Sequence, residues 1–195
     1  MLEFIERQKN KGYLWFKERA EGPQVKVWLA FISFTESIIL PIPTSAFLIA
    51  VYMAGAKRFP FYAFFTTLFS VLGGFAGYFI GYFFFDTVGV RIVDFYNLAT
   101  ELEATKALYN DNTFWVTFTG AFTPVPYKIF VLSAGFLKVN LLYFMLASVV
   151  GRGLQFFLIA YIMKHYGDTA TKLFLKYFNV IVFVGIALFL YIVLF

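Results

Sequence analysis

Three ionisable side chains stand inside otherwise apolar stretches of the chain: Glu36, Lys128 and Arg152. A charge at the centre of a membrane helix costs roughly 2.5–3.5 kcal/mol, so three unpaired ones would cost on the order of 8–10 kcal/mol. They must therefore face one another, water or a ligand. Lys128 supplies a point charge and Arg152 a planar fork of donors, and together they make a clamp suited to phosphate. Gln155 lies about one helical turn from Arg152 and shares its face. Glu36 is out of place in a pure anion pocket and reads as a counter-ion, a gate or a proton carrier. The competing reading is a structural ion pair that locks two parts of the fold together.

The segments carrying Glu36 and Lys128 share a second peculiarity. Glu36-Ser-Ile-Ile-Leu-Pro-Ile-Pro-Thr-Ser45 and Phe122-Thr-Pro-Val-Pro-Tyr-Lys128 each place a Pro-x-Pro inside an apolar run, at Pro41 and Pro43 and at Pro124 and Pro126. Proline lacks an N–H, clashes with the preceding turn and pushes its predecessor out of the α region, so each run should form two half-helices. Thr44 or Ser45 is placed to cap the half-helix after Pro43, and Thr123 to cap one with Pro124 at its first position. Such N-termini present unpaired N–H groups and a partial positive charge, which suit phosphate. Tyr127, beside Lys128, joins these substrate-binding candidates. The two proline pairs are offset by 83 residues, and Ala54-Gly55 and Ala134-Gly135 close the two runs. Broken elements at corresponding positions of two halves point to a transport site near the bilayer midplane.

The elements that must hold these residues follow from composition. Of 195 residues, 61% are hydrophobic and 14% charged, with a mean hydropathy of +0.77, whereas a soluble domain carries about 25% charged residues. This is the pattern of an all-α integral membrane protein. Residues 1–23 mix Arg7, Lys9, Lys11, Lys17 and Arg19 with Phe4, Trp15 and Phe16, an interfacial amphipathic helix ended by Pro23. Residues 24–195 form one membrane domain: a hairpin over 25–58, a span over 61–85, an amphipathic surface helix over 87–111, a second hairpin over 113–138, and spans over 141–163 and 177–195. A loop over Lys164-His-Tyr-Gly-Asp168 joins the last two. The half-helices are short for a hydrocarbon core about 30 Å thick, so both hairpins should be re-entrant. With about three full crossings, the two hairpins form an inverted repeat. Gly73, Gly74, Gly77 and Gly81 form a small-residue stripe for close helix approach. Residues 1–26, 57–58 and 164–176 carry eleven basic and five acidic residues, against three and five in 86–111 plus Lys138. That bias makes the first side cytoplasmic.

Several function classes are excluded or weakened. There is no cysteine, hence no disulfide, thiol nucleophile or thiolate metal site. His165 is the single histidine, no metal-ligand spacing is present, and no Gly-x-Ser-x-Gly or phosphate-cradling loop occurs. The reading is therefore not an enzyme, with no cofactor and no metal. The net charge of +5 is better explained by anionic headgroups and topology than by nucleic acid.

The run Glu36-(x)4-Pro-Ile-Pro, followed by Phe-Thr-Pro-Val-Pro-Tyr-Lys and Ala-Gly, resembles the DedA family, the VTT-domain or SNARE-associated superfamily. Ser148-Val-Val-Gly-Arg-Gly-Leu-Gln-Phe-Phe157 is similar to its YqaA-like branch. The resemblance covers about residues 25–165. It implies two re-entrant hairpins and the movement of polyprenyl phosphate or phospholipid across the bilayer, often tied to protons. Glu36 matches the acid before the first Pro-x-Pro, and Lys128 stands where an arginine often follows the second. Ser45 lies near the place of a second carboxylate, and Ala121 replaces a frequent arginine; Arg152 is the candidate to supply that cation. The expected function is a flippase or scramblase for an anionic lipid in a bacterial inner membrane. The alternatives are a proton-coupled small-solute or ion carrier and a non-transporting scaffold.

Overall fold

In a computed structural model of the chain, the structure describes residues 22–39, 43–96, 99–123 and 126–194, with backbone alone beyond residue 170. The amphipathic helix expected over 1–23, together with Pro41 and Pro124, lies outside the described residues, as do the side chains of the expected span over 177–195. All described regular structure is helical. The helices are α1 (Pro23–Glu36), α2 (Thr44–Met53), α3 (Phe59–Phe84), α4 (Val90–Tyr96), α5 (Ala99–Asp111), α6 (Thr113–Phe122), α7 (Tyr127–Phe136) and α8 (Leu141–Leu194), with a π-helical turn at Phe85–Gly89 after α3.

Proline punctuates these elements where its lost N–H does least harm. Pro23 opens α1 in its first turn, where the N–H would be an orphan in any case. Pro43 and Pro126 are the extended N-cap residues of α2 and α7. Each of these half-helices has 10 residues, about 15 Å of rise and roughly half a hydrocarbon core. By contrast, Phe59–Gly89 and Leu141–Gly167 are long and apolar enough to cross a membrane.

Two boundaries differ from expectation. The loop over 164–168 is instead a break of one residue, Tyr166 (φ −127°, ψ 19°), inside the long α8. His165 sits at the end of the turn before it, its Nδ1 3.0 Å from the Tyr161 carbonyl oxygen. The surface helix expected over 87–111 is divided into the π-helical turn, α4 and α5.

The halves match in register more closely than the Ala-Gly dipeptides imply. Shifting α2 by 83 residues lands on α7, and the match continues past the helix ends. Gly55 (φ 101°) and Lys138 (φ 53°), also 83 apart, are the positive-φ residues that terminate them. Their caps are bonded alike: Gly55 N–H to the Tyr52 carbonyl and Ala56 N–H to Val51, then Lys138 N–H to Gly135 and Val139 N–H to Ala134. The counterpart of Gly55 is thus Lys138 rather than Gly135. Gly135 lies inside α7, where any Cβ would strike the Tyr78 carbonyl.

Packing follows the same exchange. Each hairpin lays its first half-helix on the long helix of its own half, α1 on α3 and α6 on α8. Its second half-helix goes to the other half, α7 to α3 and α2 to α8. The glycine stripe makes this possible. A Cβ on Gly73 would strike the Phe34 carbonyl, one on Gly77 would come within 2.6 Å of Val131 Cγ1, and one on Gly81 would strike the Leu132 carbonyl. Two apolar clusters result. One gathers Leu29, Leu48, Val51, Tyr62 and Phe156; the other gathers Tyr78, Tyr127, Val131 and Phe144.

Lys138 holds a left-handed conformation that costs a non-glycine residue roughly 1–2 kcal/mol. Its side chain has a use there: Nζ pairs with Asp86 in the π-helical turn and lies 4.6 Å and 5.2 Å from the ring centroids of Tyr82 and Phe85. Backbone and side chain therefore pull in opposite directions, and two substitutions separate them. Lys138→Ala loses the ion pair and keeps the strain, while Lys138→Gly loses the pair and relieves it. Thermal unfolding in detergent should find the glycine variant more stable than the alanine variant by about 1 kcal/mol.

Candidate functional site

Arg152 sits in the middle of the apolar part of α8 and is 3% exposed. A guanidinium there must find protein partners for its donors, and it does. Nε donates to Ser70 Oγ of α3 at 2.7 Å, Nη1 to Gln155 Oε1 at 3.0 Å, and Nη2 to Glu36 Oε2 at the end of α1. Its faces are covered as well, with Cζ 4.7 Å from the Tyr127 ring centroid and 5.1 Å from that of Phe156. Tyr127 belongs to one apolar cluster and Phe156 to the other, so the guanidinium bridges the two cores. Thr44 Oγ1 donates to the same Glu36 oxygen at 3.3 Å. The pair is nearly sealed, with side-chain exposures of 4% for Arg152 and 15% for Glu36.

The serines around this pair come from three helices. Ser70 Oγ lies 3.0 Å from Ser37 Oγ, the residue directly after Glu36. Ser148, one turn before Arg152, accepts the Tyr127 hydroxyl at 2.6 Å and donates to the Phe144 carbonyl at 2.7 Å. Gly74 leaves room for that hydroxyl, since a Cβ there would lie 2.7 Å from Tyr127 Oη.

Lys128 is apart from this cluster. It stands in the first turn of α7, and its Nζ donates to the Ile39 carbonyl at 3.0 Å. Ile39 lies in the turn that ends α1, where the Ile38 and Ile39 amides both bond back to the Thr35 carbonyl. A cation there meets the negative end of a helix dipole and joins one proline break to the other.

Several sequence-derived roles change with these positions. Thr44 is the first residue of α2, not its cap, and its hydroxyl donates to the Glu36 carboxylate, a charge-assisted bond, instead of accepting from a backbone amide. Ser45 follows, half-buried, in a helix whose N-cap makes no side-chain hydrogen bond. Thr123 closes α6 instead of opening α7: it is the C-cap residue, and its hydroxyl donates to the Thr119 carbonyl at 2.6 Å. Tyr127 is 1% exposed, a wall under Arg152 and not an open surface. Ala121, where the family resemblance expects an arginine, is fully buried, and Gly151, immediately before Arg152, packs on its Cβ. Sequence reasoning passed over Ser37, Ser70 and Ser148. Two of them did carry a signal, since Ser37 adjoins Glu36 and Ser148 is one turn from Arg152. Among the described residues, no group of three or more His, Cys, Asp or Glu side chains is placed to hold a metal ion.

A chain whose described structure is all helical, with two helices long and apolar enough to cross a membrane and a charge pair nearly sealed where half-helices meet one of them, has the build of a helical membrane protein. A family model for the VTT domain matches residues 42–165, and the chain belongs to that family, the DedA family, whose members are membrane proteins linked generally to membrane transport. The matched stretch includes Lys128 and Arg152 and begins just after Glu36. The chain is 34% identical over 133 residues to an uncharacterised protein of Haemophilus influenzae, covering 68% of this chain and 69% of that one. It is 32% identical over 135 residues to an uncharacterised protein of Histophilus somni, covering 69% and 70%. No solved structure matches the chain.

The sealed pair gives a thermodynamic expectation. Removing one partner leaves the other charge buried and uncompensated, which costs roughly 3–5 kcal/mol. Glu36→Gln and Arg152→Gln should each lower stability by about that much, while Glu36→Leu with Arg152→Met should recover most of the loss. Unfolding of wild type and these three variants in one detergent, followed by circular dichroism, checks both the losses and the recovery.

Proposed function

We propose that the protein moves a phosphate-bearing lipid, of the polyprenyl phosphate or phospholipid kind, between the leaflets of a bacterial inner membrane. The observation that carries this reading is the Glu36–Arg152 pair, sealed at the junction of two broken hairpins. On this reading both hairpins are re-entrant, because their second half-helices, of 10 residues each, reach only about halfway through a hydrocarbon core. Three crossings are completed by the segment 177–195, and the basic faces at 1–26, 57–58 and 164–176 are cytoplasmic. Within the family we place the chain in the YqaA-like branch on its Ser148–Phe157 run.

The residues then divide by accessibility. Lys128 is only half-buried and held by a neutral carbonyl, so it is the cation that an incoming phosphate meets first. Arg152 is reached only after its pair opens, and Glu36 drives that opening by exchanging a proton or by gating alone. Thr44 and Gln155 hold the pair in its closed form, Tyr127 supplies the platform beneath it, and Ser45 lines the first turn of α2. Thr123 is set aside as a phosphate ligand. The acyl chains remain in lipid beside the exposed aromatic side chains of α3 and α6, such as Phe64, Phe83 and Trp115. The reaction makes and breaks no covalent bond, and the partners are the bilayer, the anionic lipid and protons, with no nucleic acid.

One observation favours a second reading: Nε, Nη1 and Nη2 of Arg152 all find protein partners, as a scaffold with a purely structural ion pair would require. Vesicles carrying headgroup-labelled polyprenyl phosphate or phospholipid distinguish the two. Wild-type protein should move label faster than protein-free vesicles. Lys128→Ala should slow it roughly 10- to 100-fold, the worth of one hydrogen bond to a charged group, with little change in melting temperature. Folded protein that moves no lipid with any of several headgroups sinks the proposal. Flux of a trapped small solute in the same vesicles would point to a solute carrier instead.

A further inference from the structure

Ser70 lies on α3 and is fully buried, and no step of the proposed transport uses it. It nevertheless joins two other elements. Arg152 Nε donates to Ser70 Oγ at 2.7 Å, and the Ser70 and Ser37 hydroxyl oxygens are 3.0 Å apart. The proton of Ser37 is committed to the Ser33 carbonyl at 3.1 Å, so the proton between the two hydroxyls belongs to Ser70. The donors therefore run in one direction, from Arg152 on α8 to Ser70 on α3, then to Ser37 and Ser33 at α1. All three serines are fully buried, which leaves bulk water no part in this chain.

The shape of the guanidinium gives that order a consequence. Its Nε–H and one Nη2–H point the same way along one edge of the fork, an edge that a carboxylate can take with two parallel bonds. Here the carboxylate does not hold both nitrogens of that edge: Nη2 goes to Glu36 Oε2 and Nε goes to Ser70. The same Oε2 also accepts from Thr44 at 3.3 Å. We infer that Ser70 is a positioning residue that holds the Glu36–Arg152 pair to a single charge-assisted bond on this edge, keeping it separable. The inference rests on the proposed transport reading, in which the pair opens as a headgroup passes, and Ser70 sets how readily it does so. A bidentate pair would be the stronger and more specific one, and a stronger lock is a slower gate.

Ser70→Ala frees Nε for the second carboxylate oxygen. The Glu36–Arg152 coupling is measured from the unfolding of Glu36→Gln, Arg152→Gln and the double variant in detergent, once in the wild-type background and once with Ser70→Ala. Coupling should increase with Ser70→Ala, with no drop in melting temperature from that substitution alone. Lipid movement in vesicles should slow roughly tenfold, the equivalent of one added charge-assisted bond. Ser70→Cys, nearly isosteric but a weak acceptor, should shift coupling and rate in the same direction by less, and it serves if the alanine variant does not fold. A fall in melting temperature with coupling unchanged or weakened overturns the inference and leaves Ser70 an ordinary packing contact. If wild-type protein moves no lipid, the transport reading fails, while the coupling measurement still decides the role of Ser70.

Discussion

A guanidinium in an apolar interior organises this fold. Guanidinium groups keep their charge in proteins, so the chain must either solvate that of Arg152 with protein groups or keep it out of the core. It does the former with one acceptor from each of three places: Ser70 on α3, Gln155 on its own helix and Glu36 at the end of α1. Rings from α7 and α8 cover its faces. Removing the charge from this arrangement would leave both apolar clusters without the group that touches each of them. The same requirement explains why serines, poor residues for a helix interior, are tolerated at the crossing. In lipid a hydroxyl that finds a partner adds interhelical cohesion of about 0.6 kcal/mol on average.

Close approach of backbones makes the arrangement reachable. A short Ser70 side chain can meet Ser37 only if α1 lies almost against α3, and Gly73 permits this by offering no Cβ to the Phe34 carbonyl. Tyr127 can reach Ser148 only because Gly74 leaves its hydroxyl space. The glycine stripe is thus a packing device whose consequence is electrostatic: it brings short polar side chains within bonding distance of a buried charge. The exchange of half-helices between halves adds to this, since α2 reaches α8 and α7 reaches α3. Thr44 and Tyr127, the first residues of those two half-helices, meet at the same pair.

Much of the candidate site was legible in the chain. Glu36 and Arg152 stood out because ionisable groups inside apolar spans are costly and must be answered. The proline breaks were legible for the same kind of reason, a local covalent constraint that no packing can remove. What misled was assigning partners by residue type and local position alone. Lys128 looked like a second finger of the Arg152 clamp, yet it reaches the end of α1 and bonds to Ile39. Thr123 looked like a cap for a helix opening at Pro124, but its hydroxyl bonds back to its own helix. The equivalence of Ala54-Gly55 with Ala134-Gly135 followed letters, while the backbone follows conformation and pairs Gly55 with Lys138.

By itself, the sequence determined the helical class, the two breaks, the 83-residue register between them and the identity of the deep charges. All of these rest on hydropathy or on the restricted backbone of proline, which act within a few residues. Only the tertiary structure decided which charge meets which, because Glu36 and Arg152 are separated by 116 residues and their meeting depends on how α1, α3 and α8 cross. It also decided that Ser70 would stand between Arg152 and Ser37. A lone serine in an apolar helix has no preferred partner until the glycines around it set how closely its neighbours approach.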